Sequence, residues 1–214
     1  MPSFQEQLDT LARWRRYPGR ERLDPGTGQI ALTFDDGPDP DATPAVLDAL
    51  GDVPATFFLV GEQVEVNPAL AREVAERGHA VALHGQRHIE HDRLGDGARA
   101  DLERGLATLQ AATGARPRLF RPPYGRFSAA SYAACRELGL EPVLWSAWGG
   151  DWEPVPEGRI ADLVCRDLAD GAVVLLHDSA RYAYRQSAQP TAAALPAILG
   201  AIDAAGLRPV PLAP

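Results

Sequence analysis

The sequence predicts an α/β fold, a distorted (β/α) barrel of about seven parallel strands. One observation behind this is the alternation of short apolar, β-rich runs with segments carrying helix punctuation, a rhythm that builds parallel sheets. Periodicity alone does not separate an open doubly wound sheet from a closed barrel. A second observation favours the barrel, because the chemically loaded residues gather just after the C-terminal ends of the runs. Asp35 and Asp36 follow the first, His84 and His88 the third, Arg121 the fourth, Asp151 the fifth and His177 the sixth. Five clusters from five strand ends meet only if the strands ring a common mouth, which is where barrels keep their active sites.

The runs fall at 30–34 (IALTF), 55–60 (ATFFLV), 79–83 (HAVAL), 118–120 (RLF), 142–145 (PVLW), 172–176 (AVVLL) and 207–210 (LRPV). Between them, Thr43-Pro44 and Asn67-Pro68 read as N-caps followed by a first-turn proline. Gly78, Gly114, Gly139, Gly171 and Gly206 stand where helix C-caps should fall. An opening helix around 3–16 carries Phe4, Leu8, Leu11 and Ala12 on one face, as a cover over one end.

With 214 residues, 45% hydrophobic and 23% charged, the chain suffices for one well-cored domain. A net charge of −8 argues against nucleic acid or an anionic membrane as the main partner and suits a neutral or cationic small substrate. Cys135 and Cys165 fall in helix-like segments and read as free thiols. No apolar run approaches the ~18 residues of a transmembrane helix. Residues 1–22 lack the apolar core of a signal peptide and carry Arg13, Arg15, Arg16 and Arg20, so the expected location is cytoplasmic.

The chemistry begins at Thr33-Phe34-Asp35-Asp36-Gly37-Pro38. Adjacent residues on a strand diverge to opposite faces. Gly37 and Pro38 break the strand and let both carboxylates swing to one centre. One can then hold a metal while the other takes a proton. His84-Gly85-Gln86-Arg87-His88 is an H-x-x-x-H, whose i, i+4 spacing puts both imidazoles on one face of a helical turn. His91 offers an alternative pairing with His88, and His79 reads as ordinary surface or core. One carboxylate and two imidazoles suit a catalytic zinc or similar divalent ion with open positions. The same set serves non-haem iron oxygenases, but strand–helix alternation speaks for a metal-assisted hydrolase.

Arg121-Pro122-Pro123-Tyr124-Gly125 places an arginine ready to grip a carboxylate with both nitrogens. Leu175-Leu176-His177-Asp178 ends the most apolar strand with a histidine suited to general acid work, with Asp151 or Asp178 to stabilise its charged form. Trp145, Trp148 and Trp152 crowd the preceding loop, either as platforms for sugar faces or as core.

The ordered motifs TFDDGP, H-x-x-x-H, RPPYG, DW and LLH resemble the polysaccharide deacetylase family, the NodB-like domains of carbohydrate esterase family four, over roughly residues 28–212. The resemblance implies a lead-in at 1–27, a catalytic domain at 28–214 and one divalent metal, zinc foremost, with cobalt, manganese or nickel as alternatives. It implies removal of N-acetyl groups from an acetylated amino-sugar glycan, with release of acetate. By the same resemblance Asp35 is the base, Asp36, His84 and His88 the metal ligands, and Arg121 the residue orienting the base. Tyr124 gives a backbone N–H to the oxyanion, and His177 is the acid with Asp151 as partner. Trp148, Trp152 and Leu175 are candidates for substrate contact, the last two around the acetyl methyl. Rival activities are an O-acetyl esterase, a deformylase acting on a sugar conjugate, and a non-catalytic glycan-binding relative. The sequence departs from the family pattern at Gly85, usually Ser or Thr, and at Trp148, where many members carry a further aspartate.

Overall fold

A computed structural model describes residues 16–214. The expected opening helix at 3–16 lies outside them except for Arg16. In chain order the elements are β1 (Gln29–Asp35), α1 (Thr43–Leu50), β2 (Thr56–Leu59), α2 (Gly61–Val66), α3 (Pro68–Glu76), β3 (Ala80–Leu83), α4 (Gly97–Thr113), β4 (Leu119–Phe120), α5 (Ala129–Leu138), β5 (Glu141–Pro142), β6 (Ala147–Trp148), α6 (Glu157–Arg166), β7 (Val173–His177), α7 (Gln189–Ala204) and β8 (Arg208–Pro209). Two 3-10 turns, His91–Arg93 and Pro123–Gly125, lie within the connections.

The strands pair in parallel in the order β5-β4-β3-β2-β1-β7-β6, with β8 joining the start of β1. The sheet is a curled, incompletely closed barrel with helices outside. The lead-in ties its β5 edge to the foot of β7, as Arg20 bridges Val143 and Arg22 bridges Ala172.

β1 lies at the centre, and its alternation sets the two sides of the sheet. Ile30, Leu32 and Phe34 join the large core between sheet and helices, whereas Ala31 joins a small core inside the curl with Phe58, Ala82, Leu119, Val143, Val173 and Leu212. By the two-residue period of a strand, Thr33 and Asp35 face the same interior as Ala31. The first aspartate of the pair is therefore delivered to the barrel mouth by strand geometry alone.

Several local readings are corrected. β6 has only two residues, too few for any periodic signal. The run 142–145 pairs as a strand only at its start, and beyond it the Leu144 carbonyl turns to Arg121. Thr43 is the first residue of α1, not its cap, and its hydroxyl bonds Asp178 at 2.6 Å. Asn67 occupies the cap position of α3 without a side-chain cap bond. Gly114 and Gly139 close α4 and α5 in the left-handed conformation, as expected. Gly171 instead turns the chain into β7, since α6 already ends at Arg166.

α4 lies tightly against β3 and the loop after it at Gly105. A Cβ there would stand 2.6 Å from Leu83 Cδ1, 3.1 Å from the Gln86 nitrogen and 3.2 Å from the Gly85 carbonyl carbon. Gly105→Ala is expected to destabilise the protein. The helix-propensity gain of about 1 kcal/mol is outweighed by overpacking against backbone, which costs about 1–3 kcal/mol. A urea midpoint equal to or above wild type would show that α4 has room to move.

Candidate active site

The aspartate pair divides at the end of β1. Asp35 keeps strand geometry, while Asp36 turns into the left-handed region at φ 82°, which an aspartate tolerates better than most residues. Asp178 holds this turn, accepting the Gly37 N–H at 3.1 Å and the Thr43 hydroxyl. Burial, reinforced by Asp36 and Asp39, pushes the Asp178 carboxyl up to about 7. It is thus occupied by the turn and is not the partner of His177.

His84 and His88 converge with Asp36, but not on a helix. Residues 84–90 form an irregular loop, bent at Gly85 with φ 86°. His84 Nδ1 lies 2.7 Å from the Arg121 carbonyl, which can only accept, so Nδ1 carries the proton and Nε2 is left for a ligand. His84 Nε2 is 3.4 Å and His88 Nε2 3.0 Å from Asp36 Oδ1. Ligand atoms of these three residues all lie within 4.8 Å of one another. Asp36 Oδ1 is buried and has no hydrogen-bond partner among the described residues. A buried carboxylate oxygen faced by two imidazole nitrogens fits a divalent cation with open positions. Burial opposes ionisation of Asp36, yet His88, His84 and His177 hold it well below the usual carboxylate range.

His91 lies beneath the loop, with Nε2 3.7 Å from Asp101 Oδ2 and its ring against Phe120, apart from the three donors. His79 packs edge-on against Phe57, and burial followed by Arg77 lowers its pKa. The departure at Gly85 has a structural counterpart. Asp101, on α4, accepts the Gln86 N–H at 2.8 Å and Arg87 Nε at 3.3 Å, bracing the loop from below. A Cβ on Gly85 would lie 2.9 Å from the Arg87 carbonyl oxygen and 3.1 Å from Asp101 Oδ2.

Arg121 has no exposed surface. Its NH1 donates to Asp35 Oδ1 at 2.6 Å and to Thr33 Oγ1 at 2.8 Å, and NH2 donates to the Leu144 carbonyl at 3.0 Å. The expected two-nitrogen grip on a carboxylate is therefore not formed. One Asp35 oxygen is gripped, and the other lies 3.8 Å from His84 Nε2, toward the metal-ligand candidates.

His177 stands beside Asp35 in register across β1 and β7, on the same side of the sheet. Asp151 accepts its Nδ1–H at 2.9 Å through Oδ1, and its backbone N–H at 2.9 Å through Oδ2. Burial works against the imidazolium, but Asp151, with Asp36 and Asp35 further off, lifts His177 to about 9. Its side chain is 12% exposed, open enough to reach a substrate.

Tyr124 sits at φ 58° in its 3-10 turn, half exposed, its ring edge-on to His88 at 4.6 Å. Trp152 meets the His177 ring edge-on at 5.9 Å, and Leu175 is buried next to Trp148 in register. Trp148 is 37% exposed, whereas Trp145 is partly buried against the core, with the Arg121 guanidinium 5.7 Å from its ring centroid. Cys135 and Cys165 are free thiols, and burial pushes Cys135 up to about 12.

The family model for polysaccharide deacetylase matches residues 22–143. The chain belongs to the polysaccharide deacetylase family. It is a hydrolase of that family, and relatives agree along most of its length. A chitooligosaccharide deacetylase of Bradyrhizobium sp. (strain ANU 289) is 40% identical over 157 residues, 72% of each chain. A solved peptidoglycan N-acetylglucosamine deacetylase, bound to an N-hydroxybenzamide compound, superposes with TM-score 0.86 at 30% identity, covering 93% of both chains. A family 4 acetyl xylan esterase from Clostridium thermocellum, solved with a cobalt ion, gives TM-score 0.77 at 30% identity over 86% of this chain and 87% of its own.

The structure brings further residues against these groups that the motifs did not flag. Arg185 donates to Thr191 Oγ1 at 2.6 Å and to the His177 carbonyl at 3.1 Å, and lies 3.5 Å from Asp151 Oδ2. Thr191 donates to that same Asp151 oxygen at 2.7 Å. Tyr182 stacks on His88. None has a local pattern to betray it, because their contacts with Asp151 and His88 span long stretches of chain.

Gly85→Ser is expected to destabilise the metal-free protein, since a left-handed residue with a Cβ against Asp101 costs on the order of 1–3 kcal/mol. Urea unfolding tests this, and unchanged stability would show that Asp101 yields without cost.

Proposed function

We propose that this deacetylase removes N-acetyl groups from an acetylated amino-sugar glycan or oligosaccharide in a metal-dependent hydrolysis that releases acetate. One observation carries the reading. Three candidate ligands, a half-gripped carboxylate and a charged histidine converge at one mouth. Asp36, His84 and His88 would hold the metal, and their one-oxygen, two-nitrogen set suits zinc, with cobalt, manganese or nickel as substitutes. The cation, when bound, supplies Lewis-acid polarisation of the acyl carbonyl and a more acidic water.

Asp35 takes the proton of the attacking water with the oxygen that Arg121 leaves free. Arg121 and Thr33 fix its orientation, so little reorganisation is needed. The Tyr124 N–H donates to the oxyanion that forms as the water adds. His177 gives a proton to the leaving nitrogen, with Asp151 stabilising its charged form and fixing Nδ1 as protonated. Trp152 and Leu175 enclose the acetyl methyl, and Trp148 offers a face to the sugar.

An amine leaves a tetrahedral centre only when protonated, and a histidine lifted to about 9 holds that proton at neutral pH. A protonated His177 suits an amine leaving group. The second reading, an O-acetyl esterase, draws on the likeness to the acetyl xylan esterase. Acetate release from N-acetylated chitooligosaccharides and from acetylated xylan, with zinc, cobalt or EDTA added, separates the two. Release from the oligosaccharides that EDTA abolishes is the expected result, and release from xylan alone would move the protein to the esterases.

Asp35→Asn is expected to lower kcat on the order of 10²–10⁴-fold while leaving metal bound. Near-wild-type turnover would remove Asp35 from the base role. The acid form of His177 exists below its pKa, so activity should fall on the alkaline side. Removing the Asp151 charge lowers that pKa, and Asp151→Asn should move the alkaline limb of kcat/KM down by about 1–3 pH units. A limb that stays in place would separate Asp151 from the proton transfer.

A further inference from the structure

His84 and His88 are held by different means. The Nδ1–H of His84 reaches the Arg121 carbonyl, the usual way a ligating imidazole is fixed. His88 Nδ1 is buried and has no hydrogen-bond partner among the described residues. In place of that bond, His88 has two rings. Tyr182 lies nearly parallel to it, with centroids 4.1 Å apart and planes 9° apart, and Tyr124 meets it edge-on.

Tyr182 is anchored at its far end. Its hydroxyl donates to Glu62 Oε1 at 2.7 Å and accepts from Gln63 Nε2 at 2.9 Å, both on α2. α2 is tied in turn to the ligand loop, since Gly61 N–H reaches the Gly85 carbonyl at 2.9 Å and Glu62 N–H the Gln86 carbonyl at 2.8 Å. The contacts close a circuit from the loop through α2 and Tyr182 back to His88.

We propose that Tyr182 is a positioning residue for the metal centre, its tethered ring setting the plane of the His88 imidazole in place of an Nδ1 hydrogen bond. Ligation draws electron density from the imidazole, and an electron-poor ring stacks more favourably on the negative face of a phenol. The stack therefore tightens as the cation binds. The segment that carries Tyr182 also carries Arg185, so one connection after β7 supports both the ligand set and the His177–Asp151 pair.

The inference rests on the metal-centre reading, and cobalt(II) titration of the metal-free protein tests both, with affinity and visible absorption spectrum as readouts. Wild type is expected to bind and His88→Ala to lose binding. Tyr182→Leu is expected to weaken cobalt about 10-fold or more and to alter the spectrum, the size of effect seen for outer partners of metal ligands. Tyr182→Phe keeps the ring and should stay within about threefold of wild type, the scale of a lost hydroxyl bond. Glu62→Ala loosens the tether without touching either ring and should also weaken binding by about threefold. A Tyr182→Leu protein with wild-type affinity and spectrum overturns the positioning role alone. A Tyr182→Phe protein as weak as Tyr182→Leu overturns the part given to the ring. A wild-type protein that takes up no cobalt overturns the metal centre and the positioning role together.

Discussion

A guanidinium with no exposed surface sits at the mouth of the barrel, and the rest of the site is arranged around it. Burying an unpaired charge is costly, and burial lowers the pKa of Arg121 while Asp35 opposes that shift. The cation is tolerated because its surroundings answer it. Asp35 and Thr33 accept from one nitrogen, the Leu144 carbonyl accepts from another, and the Phe58 ring lies 4.1 Å away. Its main chain works too, since its carbonyl fixes the tautomer of His84. A single residue after β4 thus orients the proposed base through its side chain and a proposed ligand through its backbone.

The two adjacent aspartates owe their different roles to backbone geometry. Asp35 is still strand, so it faces the interior and meets Arg121. Asp36 has left the strand through a positive φ, so it reaches sideways to His84 and His88. Asp178 makes that departure possible by gathering the Gly37 N–H and the Thr43 hydroxyl behind the turn. On the other flank, Asp151 is fully buried and answered by His177, Thr191 and Arg185. Asp151 thus fixes the Nδ1–H of His177 and favours its charged form through contacts within the scaffold.

The loop bearing the two histidines has almost no regular structure of its own, and its shape is borrowed from neighbours. Asp101 of α4 holds it from below, α2 holds two of its carbonyls, and Tyr182 covers His88. The absence of a side chain at Gly85 belongs to this arrangement, because Asp101 approaches where a Cβ would stand. Gly105 permits it from the helix side, by letting α4 come close to the loop backbone.

Much of this was readable from the chain. Short apolar runs placed β1, β2, β3 and β7, and the reactive residues at their ends identified the barrel mouth, because both signals are local. The ordered motifs carried the family, and Asp36, His84 and His88 proved to be neighbours. Local pattern misled where the partner is remote. The H-x-x-x-H spacing suggested a helix, but an irregular loop braced by Asp101 brings the imidazoles together. Thr43 had the appearance of a cap, but its hydroxyl is claimed by Asp178, far along the chain. β6 was invisible because two residues have no period. Tyr182 and Arg185 gave no sign, since their roles exist only once α2, α7 and the strand ends are assembled. The sequence by itself determined which chemical groups are present and, for Asp35, His84, Arg121 and His177, at which strand ends they emerge, because strand alternation and turn chemistry are short-range; Asp151 follows β6, not the run at 142–145. Tertiary structure alone decided which of them touch and which oxygen of Asp35 stays free, because those outcomes depend on packing between segments far apart in the chain.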